Sequence, residues 1–289
     1  MALLFMVQVT YTKPHASALK RVEHLRAKGL HIPQRNVAAK KIDAIGYERL
    51  RIYFLSRRQV NVAGKPFIPG ITYNHILRLY QCDSAIRDAC FSAVGQFELL
   101  LRNSMSEALS STFGSHPYHE IAAFRNAGAN LSALQTFVQV YAKSKDGRAR
   151  HYQTVYSDPI LPPIWTMKEF LTFGTASRIL NELSGPLQKK IADDFGVGKE
   201  QILTNWVAAL VDLRNICAHH DRLFNRSFQK QPSKLKSAGI PSAQPNKLKG
   251  ILECLDYLLE QRGTPVNVTQ KVGAVIVKYK EMQPGEAGY

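Results

Sequence analysis

Apolar residues recur every three or four positions along most of this 289-residue chain, whereas strict alternation of apolar and polar residues is scarce. The longest such pattern runs from Thr72 to about Leu109 and predicts one bundle helix or two helices in line. Further helical patterns cover residues 15–60, 165–183, 187–195, 199–220 and 248–262. Residues 272–279 fit either a short strand or a helix end. The sequence therefore predicts an all-α fold.

Segments without this pattern indicate how the chain is organised. Residues 64–70 contain two Gly and two Pro, which predicts a boundary. Residues 125–163 are less regular, and residues 229–246, rich in Lys, Ser, Pro and Gln, predict a loop. We therefore expect three regions: N-terminal helices over 1–70, a helical core over 71–228, and a basic loop with a C-terminal helix over 229–289.

The charge balance is strongly basic, with 38 Lys and Arg against 22 Asp and Glu and a net charge of +16. Such a surface attracts polyanions, because neutralised phosphates release their counterions. Nucleic acid is therefore the first partner to consider. A basic protein without such a partner is the alternative that charge alone leaves open.

Cysteine and glycine spacing argue against several classes of site. The four cysteines form no C-x-x-C pair, and no glycine-rich nucleotide-binding loop is present. We therefore expect no metal, no cofactor and a cytoplasmic location. The apolar start, residues 1–9, lacks the basic leading segment and cleavage site of a signal peptide. No run reaches the ~18 apolar residues of a membrane span, so we expect no membrane association.

One polar run, residues 213–226, is hard to explain by packing. It contains Arg214, Asn215 and, five positions after the arginine, His219. Because helical residues are ~100° apart, those spaced by three or four share a side. The polar side then holds Asp212, Asn215, His219, Arg222 and Arg226. The apolar side holds Leu210, Leu213, Cys217, His220 and Phe224, which makes His219 the better candidate for chemistry.

These residue types suit RNA cleavage without a metal. The reaction needs a base for the 2′-hydroxyl, an acid for the leaving 5′-oxygen, and a cation against the charge developing on phosphorus. Imidazole serves the proton transfers, and guanidinium matches phosphate oxygens. Asn215 would orient the imidazole or the phosphate, and the long side chain of Arg214 would reach a phosphate beside His219. The alternative is that these polar residues are structural, since the pattern is short.

The polar run resembles the signature of the AbiD/AbiF-type abortive-infection proteins, bacterial phage-defence proteins of the HEPN superfamily. The resemblance extends over about residues 15–260 and rests on segments that occur in the family's order: 45–50, 79–87, 97–103, 161–165, 173–175 and 214–225.

Membership implies a HEPN-type helical bundle, with additional N-terminal and C-terminal helices, that acts as a metal-independent endoribonuclease. In that family Arg and His of an R-x-x-x-x-H motif act together, and cleavage leaves a 2′,3′-cyclic phosphate; Arg214, Asn215 and His219 match the motif. HEPN sites usually combine two motifs across a dimer. Here Arg102 begins a second copy that has Glu107 in place of His, so the resemblance implies a homodimer. Some relatives are restrained by a structured noncoding RNA, which the net charge would accommodate.

Further residues are candidates for lining this site or contacting RNA. Glu98 and Arg102 form either a plain ion pair or part of the site. The complete set of such candidates is Glu98, Arg102, His220, Arg222, Arg226, Lys143, Lys145, Arg148 and Arg150. We interpret Trp165 and Phe173 as core residues rather than base-stacking platforms.

Three functional hypotheses follow from these residues. The first is a phage-defence toxin that cleaves RNA. The second is a non-catalytic RNA-binding or signalling protein. The third has DNA as the main ligand.

Overall fold

The computed structural model describes residues 10, 12 and 14–289; the apolar start, residues 1–9, lies outside them. The chain divides into two compact units, Met1–Gln81 and Cys82–Tyr289. Among the described residues, extended segments meet only as isolated bridges, such as that between Phe124 and Leu183, and no strand forms. The predicted all-α fold is confirmed. No helix in this part of the chain combines the length and apolar character needed to cross a membrane.

The first unit contains the helices predicted between residues 15 and 60. They are α1 (Ala18–Ala27), α2 (Arg35–Ile45) and α3 (Tyr47–Ser56). Gly29 adopts a φ of +88°, so α1 ends just before it, as predicted. Phe54 of α3 packs its ring on Tyr47 and Tyr73, with centroids 5.8 and 6.4 Å away.

The longest helical pattern forms a single helix, α4 (Tyr73–Phe113), rather than two in line. Gly114, with a φ of +79°, follows its end. Within the second unit, α4 contributes Phe97 to the core, where its ring meets Phe173 at 6.0 Å and Phe195 at 5.4 Å. Edge-on contacts between aromatic rings add to the stabilisation from burial.

Beyond α4 the second unit contains nine further α-helices within the described residues. They are α5 (Ala127–Lys143), α6 (Gly147–Val155), α7 (Ile164–Met167), α8 (Phe173–Glu182), α9 (Gly185–Asp194), α10 (Glu200–Ala218), α11 (Leu248–Gln261), α12 (Val268–Lys278) and α13 (Pro284–Ala287). Helix α10 packs against α8, α9 and α11. Trp206 of α10 is fully buried, and its indole N–H donates to the Ser233 carbonyl at 2.7 Å.

The prediction of irregular structure over residues 125–163 is wrong, because α5 and α6 occupy much of this segment. Both begin at side chains that accept a backbone N–H: Asn126 from Ala129 and Asp146 from Arg148, each at 2.8 Å. Small residues such as Ala133 face the core in α5, so the apolar pattern is weak in sequence although the helix is well buried on one side.

One other expectation is corrected, and one open alternative is resolved. The helix predicted over residues 165–183 is interrupted, since Thr172 adopts an extended conformation and caps the start of α8 by accepting the Thr175 N–H at 3.2 Å. Residues 272–278 are helical within α12, which resolves the ambiguity between strand and helix.

Candidate active site

Helix α10 ends in a well-defined turn that fixes the position of His219. The His219 N–H donates to the Asn215 carbonyl at 3.0 Å, and His220 then takes a left-handed conformation with a φ of +54°. The N–H groups of His220 and Asp221 donate back to the carbonyls of Cys217 and Ile216, at 3.1 and 2.9 Å. This pair of bonds is a Schellman motif, which satisfies carbonyls at a helix end. His219 is therefore the C-cap residue, and it is exposed.

The predicted polar stripe does not continue to Arg222 and Arg226, because α10 ends at Ala218. Both guanidinium groups instead bond to the backbone of the following loop. Nη1 of Arg222 donates to the carbonyls of Phe224 and Asn225, and Nη1 of Arg226 donates to the Arg222 carbonyl at 3.2 Å. These contacts close the loop on itself. The helical argument for placing the two arginines beside His219 is thus wrong.

The placement of His220 among apolar residues is also wrong. His220 is exposed, whereas Leu223 and Phe224 are buried. The left-handed turn at His220 redirects the chain, so positions beyond Ala218 no longer follow helical spacing.

Arg214 lies in a compact cluster of charged side chains with Glu98 and Arg102 from α4. Its Nε is 3.9 Å from one carboxylate oxygen of Glu98, and the other oxygen is 3.1 Å from Nη2 of Arg102. Nη1 of Arg102 also donates to the Leu171 carbonyl at 2.9 Å. Glu98 therefore forms the ion pair with Arg102 and also lies beside Arg214.

Asn215 is exposed and contacts its neighbour in sequence. Its Oδ1 accepts a hydrogen bond from Nη1 of Arg214 at 3.2 Å. The amide oxygen thus orients the guanidinium rather than the imidazole of His219, and the amide NH2 group remains as a donor.

Asp83 is a supporting residue that the sequence interpretation missed. Its side chain is fully buried, and Oδ1 accepts the backbone N–H groups of Leu223 and Phe224 at 3.1 and 2.9 Å. Oδ2 pairs with Nη1 of Arg87, one turn further along α4. The loop that follows the two histidines is thereby attached to α4. Two opposite charges four residues apart inside an apolar helix pattern were the available signal.

Beneath the motif, two buried thiols join α4 to α10. The Cys90 and Cys217 side chains hydrogen-bond, and this bond together with burial raises the pKa of the Cys90 thiol well above its usual range. Buried cysteines behave as small apolar residues. The inner face of α10 is thus buried and packed against α4 at this position, while its outer face carries Arg214 and Asn215.

The basic cluster lies at the end of α5, in the short connection that follows it and on α6, rather than in a long open loop. Lys143, Lys145, Arg148 and Arg150 are all exposed. The Arg148 guanidinium donates to both carboxylate oxygens of Asp146, at 3.0 and 2.8 Å. This contact lowers the pKa of Asp146 to about 2, and it offsets part of the positive charge of the cluster.

The two aromatic residues assigned to the core, Trp165 and Phe173, differ in how far they are buried. Phe173 is fully buried, as predicted, but Trp165 is 48% exposed, so its assignment to the core is wrong. Trp165 lies in the short helix α7, which has only one turn and buries Ile164 and Met167 instead.

The comparisons with known proteins give a single family. Neither a curated protein nor a solved structure matches the sequence. In the part of the chain that the structure describes, no three His, Cys, Asp or Glu side chains group so as to hold a metal ion. The sequence profile of a family described as Abi-like protein matches residues 40–225, well over half of the chain, and this segment contains the α4 and α10 residues described above. The chain belongs to the Abi-like protein family.

Proposed function

We propose that this protein acts in abortive infection as a metal-independent endoribonuclease whose active site contains Arg214, Asn215 and His219. Membership of the Abi-like family supports the defence role. The observation that carries the nuclease assignment is the arrangement at the end of α10. Arg214 is held by Glu98 and Asn215 while the nearby His219 is exposed at the helix terminus.

Each residue has a distinct role in the proposed reaction. The imidazole of His219 moves the proton of the 2′-hydroxyl or of the leaving 5′-oxygen. The Arg214 guanidinium stabilises the charge that develops on the phosphate, and Glu98 and Asn215 fix its orientation. The 2′-oxygen attacks phosphorus as the bond to the 5′-oxygen breaks, which leaves a 2′,3′-cyclic phosphate and a free 5′-hydroxyl.

A second copy of the chain would complete this site. One imidazole cannot be base and acid in the same step, and Glu107 replaces the histidine in the partial repeat that begins at Arg102. Two copies of the motif facing each other in a homodimer would supply both groups. The net charge of +16 also suits binding of a structured noncoding RNA that restrains the toxin.

The test compares cleavage of RNA in EDTA by the intact protein and by His219→Ala. We expect loss of a general acid–base group to reduce the rate about 10²–10⁴-fold. His119→Ala, at another exposed histidine, is the matched control and keeps full activity. The product of the intact protein should end in a 2′,3′-cyclic phosphate. Equal cleavage and equal growth inhibition by His219→Ala and His119→Ala would refute the catalytic role.

The competing hypotheses give different results in the same preparation. Sequencing the nucleic acid that copurifies should yield one discrete RNA if the toxin is restrained by RNA, and cleavage should rise when that RNA is removed. RNA binding without cleavage would support the non-catalytic protein. Stronger competition by duplex DNA than by RNA at matched salt would identify DNA as the main ligand.

A further inference from the structure

Helix α6 borders a cleft of about 640 Å³ that is separate from the Arg214 cluster. Its size lies within the range of sites that hold small molecules or nucleotides. The other side of the cleft is formed by the segment from Asp158 to Thr166. The lining includes the side chains of His116, Arg148, His151, Tyr152, Tyr156 and Asp158.

Two tyrosine rings form an aromatic wall in this cleft. The rings of Tyr152 and Tyr156 are 4.8 Å apart and inclined by 32°. Tyr152 is buried, and its hydroxyl donates to the Pro159 carbonyl at 3.0 Å, which fixes the ring. Tyr156 is 53% exposed. A fixed ring beneath an exposed one is suited to stacking of a planar group from solution.

Polar groups stand beside this wall. The imidazole of His116 is held between Ser115 Oγ, 2.8 Å from Nδ1, and the Tyr152 hydroxyl, 3.4 Å from Nε2. His151 is exposed, and its imidazole has no hydrogen-bonding partner within the described part of the chain. Asp158 adds a carboxylate. Donors and acceptors of this kind recognise the edges of a nucleobase.

Basic residues are close in sequence to the residues of α6 that line the cleft. Arg148 lines the cleft itself, whereas Lys143, Lys145 and Arg150 are exposed at the end of α5, between the two helices and on α6. Arg148 is largely neutralised by Asp146 and by Glu169, which is 3.5 Å away. Lys143, Lys145 and Arg150 supply the positive charge that attracts RNA phosphates to this part of the chain.

A short series of contacts connects the cleft with the motif. Arg148 pairs with Glu169, and the carbonyl of the preceding residue, Lys168, lies 3.5 Å from Nη1 of Arg102. Arg102 in turn pairs with Glu98, the neighbour of Arg214. Contacts within the protein thus connect the cleft with the site proposed for cleavage.

From this geometry we propose that the cleft binds an unpaired nucleotide of the RNA, with its base stacked on Tyr156 and its edge contacted by His151. The proposal rests on the proposed function, since RNA is its ligand. Single-stranded RNA is favoured over a duplex, because a base must leave its stack to enter a concave site. The bound nucleotide anchors the strand in the cleft, and a phosphate further along the strand reaches Arg214.

The test measures binding of a short fluorescein-labelled, 2′-O-methylated single-stranded RNA, which binds without being cleaved. Stacking is lost in Tyr156→Ala, and we expect binding to weaken about 5- to 150-fold. His151→Ala should also weaken binding, and it removes an exposed side chain that supports no packing. Val155→Ala is the matched control, since Val155 is 55% exposed on α6 and does not line the cleft; its affinity should be unchanged.

Two further measurements separate this proposal from its alternatives. The salt dependence of binding should keep its slope in Tyr156→Ala, because stacking involves no phosphate contact. Affinity for a fully paired RNA should not change in that variant. Equal affinity of Tyr156→Ala, His151→Ala and Val155→Ala for the single strand would overturn the cleft assignment while leaving RNA cleavage through His219 intact. Absence of RNA binding by the unmodified protein would overturn both proposals.

Discussion

Replacing Asp83 by Ala should be among the most destabilising single changes in the second unit. The substitution deprives the Leu223 and Phe224 N–H groups of their acceptor and leaves Arg87 without its carboxylate. Two hydrogen bonds to a charged acceptor contribute about 3–6 kcal/mol, and breaking a buried ion pair costs about 3–5 kcal/mol. These figures describe the same carboxylate and overlap. We therefore expect a loss of about 3–5 kcal/mol in the free energy of unfolding.

Urea unfolding followed by tryptophan fluorescence measures this change, because Trp206 is buried in α10. Asp88→Ala, at an exposed position on α4, is the matched control and should change stability by less than about 0.5 kcal/mol. The double variant Asp83→Ala, Arg87→Met should be more stable than Asp83→Ala alone, since it leaves no unpaired buried cation. The reasoning is refuted if Asp83→Ala and Asp88→Ala unfold at the same urea concentration.

Three smaller predictions concern other parts of the chain. Gly250→Ala should lower the melting temperature, because a Cβ there would lie 2.5 Å from the Gln244 carbonyl oxygen. Gly273→Ala, in open space on α12, should instead raise the free energy of unfolding by up to about 1 kcal/mol. Calorimetry that showed the same direction of change for both variants would contradict this prediction. The pKa of Asp146 is about 2 and should rise toward its ordinary value in Arg148→Ala. The contact therefore stabilises the fold above the ordinary pKa of a carboxyl group, and this stabilisation is lost as the pH falls through about 2. A carbon-13 NMR titration that gave equal pKa values for Asp146 in the two proteins would contradict this prediction. All four cysteines are buried, so dithionitrobenzoate should react slowly with the folded protein. In denaturing urea the reagent should titrate all four thiols. Rapid reaction with the folded protein in buffer would count against the described packing.

The sequence was informative where apolar side chains are large and evenly spaced. Large and evenly spaced apolar side chains mark α4 and most of α10, and the bounds of both helices lie within a few residues of the prediction. Helix α5 was not predicted, because its buried face includes Ala129 and Ala133, whose small side chains give a weak apolar pattern in the sequence. Periodicity records the volume and polarity of side chains, so a face built from small residues leaves little trace.

The way in which α10 ends could not be predicted from the sequence, for a different reason. Helices commonly end at a glycine in the left-handed conformation, and here His220 takes that place. Histidine is enriched in this conformation relative to most non-glycine residues, but its presence alone does not mark a helix end. The identity of the candidate residues Arg214 and His219 came from sequence, but their surroundings, especially the carboxylate of Asp83 beneath the following loop, depend on contacts between segments 140 residues apart.

The contacts that α4 makes with the motif region have a consequence for the length of that helix. Asp83 binds the loop after the histidines and Glu98 contacts Arg214, so one continuous helix sets both points of attachment. Inserting or deleting one residue between them would rotate one point by ~100° about the helix axis relative to the other. Substitutions at exposed positions between Asp83 and Glu98 leave the angle between the two points of attachment unchanged. The interval between Asp83 and Glu98 should therefore accept changes of residue type far more readily than changes in number of residues.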